Sequence, residues 1–263
     1  VLVAGSGPSG LSSALAAAKN GAKVILAEDK SRFGGSLLND EVTIGNKKGK
    51  DWADEVISQL KSMSNVIVKN RSQVFGYYDH NMTVMVEKIK DHIENPTKYT
   101  PRQKLWYVRA KEVILSTGSI ERPLVFGNND RPGIMLASAA KEYLKTYGVL
   151  VGRKPVIFTN NDSAYDLAIE FKKNGVDPLV VDVRKNSEGA NVKEAKNLNI
   201  NIKFAYAISN TKGYKRVNFA IIGKLNKERS DYENFETISC DCICVSGNWT
   251  PSVHLSSQSG NKL

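Results

Sequence analysis

The sequence contains few residues of the kinds that most enzyme chemistry depends on, with three histidines and three cysteines among 263 residues. The histidines, His80, His92 and His254, are scattered along the chain and belong to no triad spacing. We interpret them as surface, turn or packing residues. The sequence therefore nominates no catalytic residue.

The three cysteines all lie in one apolar stretch, Ile238 to Val245. Cys240, Cys242 and Cys244 alternate there, which predicts one strand with all three side chains on the same face. Such neighbours do not suit a disulfide, and further ligands at metal-binding spacing are absent from the sequence. We expect buried, reduced cysteines, no metal site and a cytoplasmic location.

Long apolar runs are also lacking, so we expect no membrane span. There is no signal peptide, and the chain opens at Val1 in an apolar strand, which suggests a fragment of a longer polypeptide. The formal net charge is +10, but the basic residues are dispersed and no nucleic-acid motif is present. We expect no nucleic-acid partner.

The first thirty residues have a clear order of strand, glycine turn, helix, strand and acid. Val1 to Ala4 is an apolar strand, the turn is Gly5-Ser6-Gly7-Pro8-Ser9-Gly10, and the helix runs from Ser9 to Asn20. The second strand ends at Glu28. This order predicts a dinucleotide-binding βαβ unit.

Each fingerprint residue has a physical reason. The sharp turn requires Gly5, close approach of a pyrophosphate requires Gly7, and tight helix packing requires Gly10. The helix N-terminus attracts the phosphates. Glu28 is placed to accept hydrogen bonds from both hydroxyls of an adenine ribose and to repel a 2′-phosphate. The motif leaves NAD and FAD as alternatives, and Gly34, Gly35 and Gly118 provide further close backbone approach.

The fold class predicted is α/β, a two-lobed FAD/NAD(P)-binding Rossmann-like fold with parallel sheets and an antiparallel three-stranded meander. The meander strands are expected at Val74 to Tyr78, Met82 to Lys90 and Lys104 to Arg109. We place a dinucleotide-binding domain at residues 1–122 and a second Rossmann-like domain at 123–263. In the second, Thr159 to Ala164 replaces the glycine turn, so we interpret that nucleotide site as lost.

Four runs of residues resemble one known family, and together they span the chain. They are Val74 to Asn81, Glu121 to Gly133, Phe158 to Tyr165 and Val245 to Pro251. In these runs the sequence is similar to the α subunit of heterotetrameric sarcosine oxidase. The resemblance and the motif together give this set of cofactor-binding residues: Gly5, Gly7, Pro8, Ser9, Gly10, Glu28, Asp29, Lys30, Gly34, Gly35, Ser36, Val74, Thr117 and Gly118.

The resemblance implies an oxidoreductase that is not active alone. It implies NAD held in the N-terminal site as a non-redox ligand, with oxidative demethylation of sarcosine or a similar N-methyl amine carried out with β, γ and δ partner subunits. FMN and tetrahydrofolate are implied only for the full complex. Two alternatives stay open at this point: a stand-alone FAD-dependent oxidoreductase, and a non-catalytic scaffold stabilised by its dinucleotide.

Overall fold

A computed structural model describes residues 1–260 and divides the chain into two compact units. Among the described residues, the first unit comprises 1–119 together with 251–260, and the second comprises 120–250. The division predicted from the sequence, with a boundary at residue 122, stays a prediction. In the structure the segment that begins at Pro251 belongs to the first unit.

The first unit is built on a parallel sheet with strand order β5-β2-β1-β9. Its strands and helices up to the crossing are β1 (Leu2–Ala4), α1 (Pro8–Lys19), β2 (Val24–Ala27), β3 (Thr43–Ile44), β4 (Lys47–Lys48), α2 (Gly49–Ser62), β5 (Val66–Lys69), β6 (Ser72–Tyr78), β7 (Met82–Lys88), β8 (Gln103–Arg109) and β9 (Val113–Leu115). The short strand β10 (Ser119–Glu121) spans the crossing.

The core of this unit lies where α1 and α2 cover the parallel sheet. Leu11, Ala14 and Leu60 are fully buried there against the strand residues Val3 and Leu26. Strands β6, β7 and β8 form the predicted antiparallel meander. The meander was predicted from alternating patterns that turn residues interrupt, and both its existence and its order are confirmed.

The second unit contains a five-stranded parallel sheet and a second three-stranded antiparallel sheet, β15-β16-β17. Its elements are β11 (Ile134–Leu136), α3 (Ala137–Tyr147), β12 (Pro155–Thr159), α4 (Tyr165–Lys173), β13 (Leu179–Asp182), α5 (Ala190–Asn197), β14 (Asn201–Phe204), β15 (Tyr206–Lys212), β16 (Phe219–Leu225), β17 (Tyr232–Ser239) and β18 (Cys242–Ser246). The chain then continues into β19 (Trp249–Pro251) and α6 (His254–Gln258).

The parallel sheet of the second unit has the order β11-β18-β12-β13-β14 and is covered on both faces. Every residue of β12 and β18 is buried, as expected for central parallel strands. The α/β class with parallel sheets and an antiparallel meander is therefore confirmed. Among residues 1–260, no helix is both long and apolar enough to cross a membrane.

The predicted cysteine-bearing strand, Ile238 to Val245, is wrong. The chain instead leaves the antiparallel sheet at Ser239 and enters the parallel sheet at Cys242. Cys242 and Cys244 pack in one core cluster and Cys240 packs in the other, so the three thiols do not share a face. All three are buried and free, and burial raises the pKa of the Cys240 thiol to about 12.

Candidate functional site

The glycine turn after β1 is held by two backbone contacts that exclude any side chain. Gly5 has a φ of +99°, and a Cβ built on it would lie 2.2 Å from the carbonyl oxygen of Ser116, which follows β9. A Cβ on Gly10 would lie 2.0 Å from the carbonyl oxygen of Gly5. The turn and the first turn of α1 are thus packed backbone against backbone, which only glycine permits.

Gly7 differs from its two neighbours in the motif. Its φ of −66° suits any residue, and a Cβ added to it meets no atom within 4 Å in the described chain. Gly7 is the N-cap of α1, and within residues 1–260 no side chain caps that end and no acidic residue occupies its first turn. Free N–H groups and open space therefore lie together, an arrangement suited to an anion such as a phosphate.

Glu28 follows β2 and is buried, with only 6% of its surface exposed. The main-chain N–H and the hydroxyl of Ser6 donate to its Oε2 at 2.9 and 2.5 Å, and the N–H of Lys30 donates to Oε1 at 2.9 Å. Burial, and then the neighbouring Asp29 carboxyl, raise the pKa of Glu28, while these donors act in the opposite direction. The carboxylate is thus fixed in orientation beside the glycine turn.

The Gly34-Gly35-Ser36 segment crosses the glycine turn. The N–H of Gly34 donates to the carbonyl oxygen of Ser6 at 3.0 Å. A Cβ on Gly35, whose φ is +57°, would lie 2.8 Å from the Cα of Gly7. Ser36 is exposed in the short 3-10 helix that follows. The structure therefore brings this predicted segment against the turn.

The other end of the site is formed by the turn after β9. The hydroxyl of Thr117 donates to the carbonyl oxygen of Ser252 at 2.8 Å, and the carbonyl oxygen of Gly118 accepts the N–H of Ser252 at 2.9 Å. Gly118 has a φ of +68° and open space where a Cβ would be. Thr117 thus anchors the returning segment, a role that sequence reasoning missed because its partner lies 135 residues away.

The remaining predicted residues surround Glu28 and the helix end. Pro8 and Ser9 are exposed in the first turn of α1, and Asp29 and Lys30 are exposed beyond Glu28. Val74 is half-buried in β6, two residues after Ser72, whose N–H donates to the carbonyl oxygen of Glu28 at 2.7 Å. The first residue of strand β6 is therefore hydrogen-bonded to the main chain of Glu28.

The corresponding turn in the second unit is occupied by its own side chains. Asp182, at the end of β13, is fully buried and accepts the hydroxyl of Tyr165 at 2.7 Å. The Arg184 guanidinium bonds Asp182 at 2.7 Å and also Asp162, again at 2.7 Å. The two carboxylates raise the pKa of Arg184, and burial beside Asp182 raises that of Tyr165. The acid equivalent to Glu28 is thus neutralised by its own chain.

No group of three or more histidine, cysteine, aspartate or glutamate side chains is arranged to hold a metal ion in the part of the chain that the structure describes. His80 lies in a turn with a φ of +56°, and His92 and His254 are exposed.

The glycine turn and the parallel sheets define the class of fold: it is the Rossmann-type fold of FAD/NAD(P)-binding proteins. Residues 1–106 match the family described as FAD dependent oxidoreductase. The structure is similar to that of thioredoxin reductase from T. acidophilum, with a TM-score of 0.75 over 100% of this chain and 81% of the other, at 17% identity. That likeness shows the fold alone.

Over its full length the chain is homologous to the α subunit of sarcosine oxidase. It is 39% identical over 262 residues to that subunit from Rhizobium meliloti (strain 1021) and 35% identical over 269 residues to the one from Corynebacterium sp. (strain P-1). Both alignments cover 100% of this chain but only 25% and 27% of the relatives. The chain spans about a quarter of the length of these curated relatives.

Proposed function

We propose that this chain is the dinucleotide-binding region of a sarcosine-oxidase-type α subunit and that it holds NAD at the glycine turn. The observation that carries the proposal is the pairing of open space at Gly7 with the buried, fixed carboxylate of Glu28. The first suits a pyrophosphate and the second suits an adenine ribose. A carboxylate in that place disfavours a 2′-phosphate, which argues against NADP.

The residues that would hold the dinucleotide are those predicted from the sequence. The first turn of α1, with Gly7, Pro8, Ser9 and Gly10, would receive the phosphates. Glu28 would receive the ribose, with Asp29, Lys30 and Val74 nearby. The crossing segment Gly34 to Ser36 and the Thr117-Gly118 turn would border the rest. These residues would bind the dinucleotide and orient it at the end of α1.

We propose further that the ligand is a non-redox one and that amine oxidation takes place with partner chains. The relatives are named as α subunits, which supports assembly with other subunits. The second turn, which Tyr165, Asp182, Arg184 and Asp162 occupy, supports a single dinucleotide site. A second site for a diffusing nicotinamide cofactor would have to displace this cluster. The substrate proposed is sarcosine or a similar N-methyl amine, and the location proposed is cytoplasmic.

FAD in the same site is the second candidate, and a specific observation favours it: the family that matches residues 1–106 is described as FAD-dependent. Denaturing the purified protein and separating the released nucleotide by chromatography distinguishes the two. We expect NAD in a ratio near one per chain. A yellow supernatant with a flavin spectrum would replace NAD by FAD, and release of no nucleotide from protein that also fails to bind added NAD would overturn the site.

Glu28→Ala is expected to weaken binding of the dinucleotide by roughly 1.5–3 kcal/mol, the contribution of a hydrogen bond to a charged group. Binding should also depend on pH, because a ligand hydroxyl donates to the ionised carboxylate. The pKa of Glu28 lies above its ordinary value of 4.5. Affinity is therefore full above that raised pKa and falls as the pH is lowered through it.

Isothermal titration of NAD across the acidic range measures both effects. Glu28→Gln, which does not ionise, should flatten the profile, whereas the same exchange at the exposed Glu55 of α2 should leave it unchanged. An unaltered affinity and profile in Glu28→Gln would place the ribose elsewhere.

A further inference from the structure

Ser6 occupies a position at which the glycine motif makes no demand, yet its side chain has no exposed surface. The next non-glycine residues of the turn, Pro8 and Ser9, are exposed. The Ser6 hydroxyl lies 2.5 Å from Oε2 of Glu28, and the Ser6 N–H lies 2.9 Å from the same oxygen. One residue therefore places two donors on one carboxylate oxygen, the short geometry of a charge-assisted hydrogen bond.

The two oxygens of Glu28 are consequently unequal. Oε2 accepts two donors from Ser6, which uses both of its lone-pair directions, while Oε1 accepts the Lys30 N–H at 2.9 Å. The Asp29 side chain also contacts the Glu28 carboxyl. Of the two oxygens, Oε1 carries the smaller number of Ser6 and Lys30 donors and is the one with more accepting capacity for a ligand. The sequence predicted that Glu28 receives both ribose hydroxyls, but this arrangement leaves Oε1 as the receiving atom.

Ser6 also holds the crossing segment. Its carbonyl oxygen accepts the Gly34 N–H at 3.0 Å, and its hydroxyl oxygen lies 3.3 Å from the same nitrogen. The hydroxyl can donate to Glu28 while accepting from Gly34, because it has one hydrogen and two lone pairs. Ser6 is therefore the point at which the glycine turn, the acid after β2 and the segment over Gly7 are joined.

We propose that Ser6 is a positioning and specificity residue of the dinucleotide site. It fixes the orientation of the Glu28 carboxylate, directs Oε1 toward the adenine ribose, and holds the Gly34 segment in register with it. The inference rests on the proposed function, since the group that it positions is the proposed ribose acceptor.

The role of Ser6 can be measured through the pKa of Glu28, which the surrounding groups influence. Burial and then the Asp29 carboxyl raise the pKa of Glu28, and the two Ser6 donors lower it. Lys69, at the end of the neighbouring strand β5, is engaged with Glu87 at 3.0 Å. Removing the Ser6 hydroxyl takes away a group that favours the carboxylate, so the pKa of Glu28 should rise further.

The test compares Ser6→Ala with the parent in the full chain, using NAD as the ligand. We expect about a tenfold loss of affinity and an upward shift of about one pH unit in the midpoint of the binding profile. In the Glu28→Gln background the same Ser6 change should have little further effect. Thr83→Val, which removes a fully buried hydroxyl that bonds Val108 in the meander, is the matched control and should shift neither quantity.

A second readout does not need the ligand. The carboxyl carbon of Glu28, followed by NMR in the labelled protein, should titrate at a higher pH in Ser6→Ala than in the parent. Ser6→Cys, a close match in size with a weaker donor, should give an intermediate value and serves if the alanine variant does not fold. An unchanged Glu28 titration overturns the Ser6 role even where NAD binds. A shifted titration in a protein that does not bind NAD overturns the proposed function and leaves Ser6 positioning an acid of another site.

Discussion

Gly7→Ala is expected to weaken dinucleotide binding by up to about 100-fold while leaving the stability of the free protein unchanged. The added methyl group meets no atom of residues 1–260 within 4 Å, and the φ of −66° suits alanine, so the folded chain loses only the preference of a helix N-cap for glycine over alanine. The methyl would instead occupy the space in which a pyrophosphate approaches the N–H groups of α1, at a steric cost of roughly 1–3 kcal/mol.

Two measurements on the same purified variant check this. Urea unfolding should give a midpoint close to that of the parent, because the restriction of the unfolded chain by alanine offsets its cost at the N-cap. Titration with NAD should show the loss. Parental affinity in a well-folded Gly7→Ala protein would show that no phosphate lies against this turn.

Gly10→Ala, unlike Gly7→Ala, is expected to destabilise the unliganded protein. Its Cβ would lie 2.0 Å from the carbonyl oxygen of Gly5, and backbone cannot rotate away as a side chain can. Helix α1 would have to move off the turn, which disturbs the contacts of Leu11 and Ala14 with the sheet. We expect a loss of about 3 kcal/mol in the free energy of unfolding.

Gly7→Ala is the matched control for Gly10→Ala, since the two variants carry the same chemical change three residues apart. Unfolding in urea, followed by the far-ultraviolet circular dichroism of both proteins side by side, gives the difference directly. Equal midpoints for the two variants would show that α1 does not pack against Gly5 as closely as described.

The first βαβ unit could be predicted almost to the residue because its signals are local. Gly5 and Gly10 specify the turn, Gly21 ends α1, and Glu28 follows the second strand directly. Apolar patterning and flanking turn residues likewise predict strands at Val66 to Lys69 and Val113 to Leu115 and a helix at Ala137 to Tyr147, which are the bounds of β5, β9 and α3.

The features that could not be predicted are of two kinds: contacts between residues that are distant along the chain, and elements that bury few apolar residues. Helix α5 was not predicted because only Val192 and Ala195 are buried in it, too few for an apolar stripe. The predicted strand Ile238 to Val245 joins the end of β17 to β18, because no glycine or proline separates Ser239 from Cys242. The Ser6 contact with Glu28 joins an unspecified motif position to a residue 22 places away.

The hydrogen-bonded cluster around Asp182 in the second unit affects which substitutions the chain can accept during evolution. Asp182 is bound by Tyr165 and by Arg184, and Arg184 is bound in turn by Asp162. Removing the Arg184 side chain alone would take the cation away from a buried carboxylate. Removing Asp182 alone would leave the buried Tyr165 hydroxyl without its acceptor and Arg184 with Asp162 only. Each single substitution that would reopen a nucleotide site in the second unit therefore gives a destabilised protein. Once the site has been lost, successive single substitutions do not readily restore it.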